Sequence, residues 1–243
     1  LELRENELAR KQQEKIEMRQ KEESEQGRKK RGRKLKMPEE VKNKDAKANI
    51  TDPESRIMKT QAGYVQGYNA QAVVTNEQII VAAELTQEEN DVNQLHPMLN
   101  KAKENVQDIG IEKRLQAGLA DAGYWSEGNM EKGLPDELEL FVATKKDWKQ
   151  RKAMREQKVQ RGRIPEGLSK REQMERKLLT KRGKHMYSKR GQMVESVFGQ
   201  IKDARRIRRF LRRGLDACSS EWKLICATHN LLKLFRSGKA SWA

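Results

Sequence analysis

The order of apolar segments in this 243-residue chain predicts an α/β protein, a mixed β-sheet with helices packed against it. Three observations carry that expectation. Two strand-like runs, "GYNAQAVVT" (67–75) and "QIIVAAEL" (78–85), are joined by a short polar turn around Asn76 and so form a β-hairpin. "NDVNQLHPMLNKAKENV" follows, with Leu95, Met98, Leu99 and Ala102 at helical spacing and Asn90 or Asp91 placed to cap the helix. Two later apolar runs, "LQAGLAD" ending at Asp121 and "LELFVAT" (138–144), read as strands separated by "AGYWSEGNMEKG", where Ser126 caps a short helix.

The remaining elements follow from composition. Only 35% of residues are apolar and 36% are charged, so part of the length cannot belong to a core. The first aromatic residue is Tyr64, which places the start of the folded core after about residue 50. Residues 1–26 read as an exposed charged helix, with Glu7 and Lys11, and Glu17 and Lys21, four apart. Residues 27–36, "GRKKRGRKLK", hold seven cations in ten positions and read as a flexible basic linker. The expected division is therefore a charged helical segment and linker (1–50), a folded domain (51–236) and a fraying tail (237–243). After Thr144 the chain is basic and polar up to His185, with one helix from Ser169, where "SKRE" is a capping box. Two helices close the chain, at about 189–211 and about 220–236, the second presenting Trp222, Ile225, Cys226, Leu231 and Leu234 to the core.

The formal charge of +16 is concentrated: residues 145–213 hold 25 Lys and Arg against 7 Asp and Glu, and the rest of the chain carries a net −2. Such a field attracts a polyanion, above all nucleic acid; a solvated basic surface is the alternative. Cys218 and Cys226 lack CxxC spacing, and the three histidines are far apart, so neither a zinc site nor a disulfide framework is expected and a reducing compartment fits. No apolar run approaches the ~18 residues of a membrane span, and no signal peptide is present.

Two acids stand out. Asp121 ends an apolar strand just before Gly123, and ligands gather at the carboxyl ends of strands that have helices alongside; a turn or cap role is the alternative. Glu195 is the lone acid in the apolar helical run "RGQMVESVFGQIK" (190–202). On an ideal helix Glu195 and Lys202 fall within about 20° of each other, with Gly199 between them, while Val194, Val197, Phe198 and Ile201 form the anchoring face. Glu195 either pairs with a neighbouring cation, Lys202 or Arg190, or joins Asp121 in holding divalent metal beside a phosphate. The metal reading expects the two carboxylates on the order of 4–8 Å apart.

"LADAGYWSEGNM", "YSKRGQMVESVFGQIK" and "FLRRGLDACSSEWKLICATHNLLKL", together with "DPESRIMKTQAGYVQGYNAQAVV", resemble the C-terminal part of bacterial insertion-sequence transposases of the DDE class, over residues 51–235. The resemblance implies a ribonuclease H-like fold in which three acids bind two Mg²⁺ (or Mn²⁺) and double-stranded DNA is cut and rejoined at transposon ends. It also implies a homodimer on paired ends and a cytoplasmic, nucleoid-associated location, without a membrane. Asp121 matches the second acid, Glu195 the third, and Tyr187, Arg190 and Lys202 the rest of a Tyr–Arg–Glu–Lys signature. Four residues rather than the usual three separate Arg190 from Glu195, which puts Arg190 about 140° round an ideal helix. Arg205, Arg206, Arg208, Arg209, Arg212 and Arg213 are expected on backbone phosphate.

The family places its first acid on a central first strand ahead of the hairpin, yet nothing before Tyr64 reads as a buried strand. Asp52, the nearest acid, sits in the turn-like "TDPES". The expectation is a ribonuclease H-like domain lacking its first strand, in a chain that begins after it. A catalytically inactive nucleic-acid-binding remnant is the competing reading.

Overall fold

A computed structural model describes residues 2–29, 32, 34–42, 48–60, 63–111, 115–132 and 138–238. Parts of the expected basic linker and of the expected tail lie outside these residues. The chain divides into two units, residues 1–56 and 57–243.

In the first unit, helix α1 (Glu2–Gln26) bears i,i+4 pairs such as Lys11 with Glu7 (3.2 Å), and a short α2 (Pro38–Lys42) follows. Arg56 is buried, with one guanidinium nitrogen on Glu7 and the other on the carbonyls of Pro53, Glu54 and Ser55. Asp52 is a turn residue: its carbonyl accepts from the Ser55 amide (3.2 Å) and hydroxyl (2.7 Å).

The second unit is α/β. Strands β1 (Arg56–Thr60) and β2 (Gly63–Gly67), absent from the sequence expectation, pair with each other. The expected hairpin is β3 (Asn69–Val74) with β4 (Ile80–Thr86), antiparallel from Asn69 opposite Thr86, with an irregularity between Val73 and Val74. Helix α3 (Leu95–Asp108) follows a single 3₁₀ turn. Asp91 precedes that turn without a side-chain cap bond, because its carboxylate is engaged elsewhere. Strand β5 (Ala117–Ala120) runs parallel to β6 (Glu139–Val142), and Ser126 caps α4 (Glu127–Glu131) by accepting from the Asn129 amide. The single mixed sheet of the sequence reading is thus corrected, among the described residues, to three separate two-stranded sheets. The free edges of β3 and β5 border a cavity instead of pairing.

Beyond β6 come α5 (Asp147–Glu156), which was not anticipated, and α6 (Lys170–Leu179) with its complete Ser169/Glu172 capping box. The helix expected at 189–211 begins and ends earlier. It starts as α7 (Lys181–Arg190), passes through a π turn (Gly191–Glu195), continues as α8 (Ser196–Gly199) and ends in a second π turn (Gln200–Ala204). It stops because Arg205 folds back onto the last helix, α9 (Leu215–Arg236), donating to the Ile225 carbonyl (3.0 Å) and the Thr228 hydroxyl (2.7 Å). Gly214 begins α9 at φ 84°, a left-handed conformation that favours glycine.

Two apolar layers flank the cavity. On one side Val74 and Ile80 of the hairpin pack with Val197, Ile201, Trp222, Ile225 and Cys226. On the other, Phe141 and Ala143 pack with Met174, Leu178 and Tyr187. Among the described residues no helix is long and apolar enough to cross a membrane.

Candidate functional site

The cavity between the two layers has a volume of about 720 Å³. Residues 69–76 border it on one side and 115–121 on the other, each without a gap. Alternate residues would line a cavity facing one surface of a strand. Unbroken runs mean that the edges of β3 and β5 face it. Leu95, Met98 and Leu99 of α3 also line it, as do Met193, Val194 and Phe198 of the long helix.

Polar groups gather where β5 ends. Asp121 caps the 3₁₀ turn Ala122–Tyr124, its Oδ1 accepting from the Gly123 amide (2.8 Å). Its Oδ2 lies 3.8 Å from Nη1 of Arg190, whose Nη2 is 3.0 Å from Oε1 of Glu195. One guanidinium therefore touches both acids, and their carboxylates are separated by no more than its width and these two contacts. Arg151 of α5 reaches the same Glu195 oxygen at 3.4 Å. Arg190 is buried beside the buried Tyr187, its guanidinium carbon 5.8 Å from the ring centre. Both carboxylates remain nearly half exposed, 42% for Asp121 and 46% for Glu195.

The long spacing between Arg190 and Glu195 is explained by the helix itself. Five residues of α-helix overshoot a turn by about 140°. The π turn Gly191–Glu195 spends the extra residue as a bulge, which brings the two side chains together. Neither composition nor helical periodicity signals such a bulge. The structure pairs Glu195 with Arg190 and Arg151; Lys202 points elsewhere, its ammonium 5.2 Å from the Phe198 ring centre. Gly199, between Glu195 and Lys202, faces open space.

The arginine run is a loop rather than a helix. Glu221 accepts from the Leu211 and Arg212 amides at 2.9–3.0 Å, tying the loop to α9. Arg206, Arg208, Arg209, Arg212 and Arg213 are exposed on it. Arg208 pairs with Asp203 at 2.7 Å, and Arg205 is an internal brace. Sequence reasoning passed over Arg151, Gln71 and Gln78, and read Asp91 only as a cap. Asp91 Oδ1 accepts from Asn69 and Gln71, each at 2.7 Å, and the Tyr124 hydroxyl donates to Gln71. Burial pushes the Tyr124 phenol well above its usual range, helped by the negative charges of Asp91 and Asp121.

At the level of class, this is a basic α/β protein with an acid–arginine–acid cluster at the end of a parallel strand. Residues 144–235, fewer than half of the chain, match the family model of the transposase DDE domain, so this stretch is similar to part of a DDE transposase. It contains Tyr187, Arg190, Glu195 and the arginine loop; Asp121 lies before it. No curated protein and no solved structure matches the chain.

Proposed function

We propose that the second unit is part of a transposase catalytic domain that binds DNA through the arginine loop and presents Asp121 and Glu195 to the strand being cut. The observation that carries this reading is the convergence of Asp121, Arg190 and Glu195 on one cavity, in a chain whose segment 144–235 is of the DDE transposase type. Hard, half-exposed carboxylate oxygens suit Mg²⁺ or Mn²⁺, so Asp121 and Glu195 would hold the metal. Bound there, the metal would activate an attacking oxygen and stabilise the leaving one. Among the described residues no cluster of three or more His, Cys, Asp or Glu could hold a metal, and on this reading a further strand supplies the third acid. The cavity supports the source: two facing strand edges with helices on both faces suit one extended, apolar strand ending in an acid beside Asp121. Arg190 orients both carboxylates, and Tyr187 supports its guanidinium.

A second reading, DNA binding without catalysis, is favoured by the same arginine, which already compensates both acids. Fluorescence anisotropy on duplex DNA at stepped salt, with plasmid nicking in Mg²⁺ or Mn²⁺, separates the readings. Binding that falls steeply with salt is expected, without nicking by this chain alone. Nicking that Asp52→Asn abolishes would overturn the need for a further strand, and binding insensitive to salt would sink the DNA reading.

A further inference from the structure

We propose that the β3–β4 hairpin is the positioning element of the candidate site: Gln71 and Gln78 each hold the backbone that carries one of the two acids. The inference rests on reading Asp121 and Glu195 as a metal-holding pair, and it adds residues that touch neither acid.

Gln71 lies in β3 and is 3% exposed. Its Nε2 donates to Asn69 Oδ1 (2.9 Å) and Asp91 Oδ1 (2.7 Å). An ionised carboxylate only accepts, so Asp91 fixes which end of the amide it faces and leaves Oε1 for the Tyr124 hydroxyl. Tyr124 ends the 3₁₀ turn that Asp121 caps, and its own amide bonds the Asp121 carbonyl at 3.3 Å. The chain Asp91, Gln71, Tyr124 thus holds the turn that aims Asp121. Gly123 completes it: a Cβ there would lie 3.0 Å from both Asp91 Oδ2 and Asp121 Oδ1.

Gln78 sits in the hairpin turn at φ 64°. Its Nε2 donates to the Gln192 carbonyl (2.6 Å), and its Oε1 accepts from the Gln200 side chain (3.0 Å). Gln192 lies within the first π turn and Gln200 opens the second. An uninterrupted α-helix would direct the Ser196 amide at the Gln192 carbonyl; here that amide bonds Met193 instead. The carbonyl released by the bulge is the one Gln78 takes up. The bulge in turn sets Glu195 against Arg190. The hairpin therefore fixes both acids at once, from two points seven residues apart.

Gln78→Gly tests this directly, because it removes the amide while suiting the left-handed backbone. Full-length Gln78→Gly and Gln71→Ala are expected to melt cooperatively like the parent but to bind Mn²⁺ about 10–100-fold more weakly, the usual effect of losing a group that orients metal ligands. Amide hydrogen exchange should accelerate at 191–196 in the first variant and at 122–124 in the second, with the rest of the chain unchanged. Gln192→Ala should match the parent in both measurements, since Gln78 bonds a backbone carbonyl. Asp91→Asn, which keeps an acceptor oxygen, should lose less Mn²⁺ affinity than Asp91→Ala. Parent-like Mn²⁺ binding in Gln78→Gly and Gln71→Ala would overturn the proposal, as would exchange that accelerates uniformly along the chain. If the parent itself binds no Mn²⁺, the metal reading falls, and exchange alone decides: local acceleration upholds the positioning role, and uniform or absent acceleration ends it.

Discussion

The two walls of the cavity are held by different means. The hairpin wall is fastened by side chains of α9 that bond its backbone. Trp222 donates to the Gln71 carbonyl (3.0 Å), Asn230 both accepts from the Ile80 amide (2.8 Å) and donates to its carbonyl (2.7 Å), and His229 meets the Gln78 carbonyl (3.0 Å). The β5–β6 wall is held chiefly by packing, with Phe141, Leu178 and Tyr187 buried side by side, and its side-chain ties are ion pairs of Glu139 with Lys177 (3.2 Å) and Arg182 (2.7 Å) rather than bonds from a helix to strand backbone. Hydrogen bonds to strand backbone fix individual positions, whereas close packing acts over the whole buried face. The long helix spans both walls, placing Tyr187 in one and Val197 in the other, with its first π turn between them.

Substitutions can break this contrast. Trp222→Ala should be the most damaging, by about 3–5 kcal/mol, since it removes a large buried ring, its stacking on Phe198 (5.9 Å) and a bond to β3. Leu178→Ala on the opposite wall should cost about 2–5 kcal/mol through the cavity it leaves. Urea denaturation ranks the two, and a larger loss at Leu178 would reverse the account of which wall is fastened. Asn230→Ala should cost about 1–3 kcal/mol by leaving the Ile80 amide and carbonyl unsatisfied, and faster amide exchange at Ile80 would locate the damage.

His229 sharpens the contrast through pH. Burial lowers its pKa below the ordinary histidine value of 6.5, opposed by its bond to the Gln78 carbonyl, so the folded chain favours the neutral ring. The unfolded chain then binds more protons on acidification. Stability from this group is present in full above pH 6.5 and is lost as pH falls from there through the lowered folded value. Urea midpoints across that interval should drop more steeply in the parent than in His229→Gln. The smallest effect on stability, within about 0.5 kcal/mol, is expected for Arg212→Ala with Arg213→Ala on the exposed loop. The same pair should weaken duplex binding and flatten its salt dependence, as anisotropy would register.

Much of the fold was legible because it follows period and punctuation. Residues 67–85 read as a hairpin from two strand-like runs and a polar turn, α6 from its capping box, and α9 from its apolar stripe. The gathering of Asp121, Arg190 and Glu195 was only half legible. Motif and strand-end position pointed to the acids, but ideal helical geometry put Arg190 on the wrong side, because a π bulge leaves no imprint on residue type. Gln71 and Gln78 were illegible for another reason: a glutamine in a strand or a turn looks like ordinary polar surface until a partner far along the chain meets it. Arg205 shows the converse, a cation in a basic run that serves as an internal strut.

Gly183 occupies the buried stripe of α7 with Tyr187 and Arg190, at the point where a single methyl would collide with the Lys177 carbonyl at 2.0 Å. The two helices are seated so closely there that α7 has no clearance to roll or rise. A methyl added at this spot, about two turns before Arg190, would act as a wedge, lifting the rod and swinging its guanidinium tip out of line with both carboxylates.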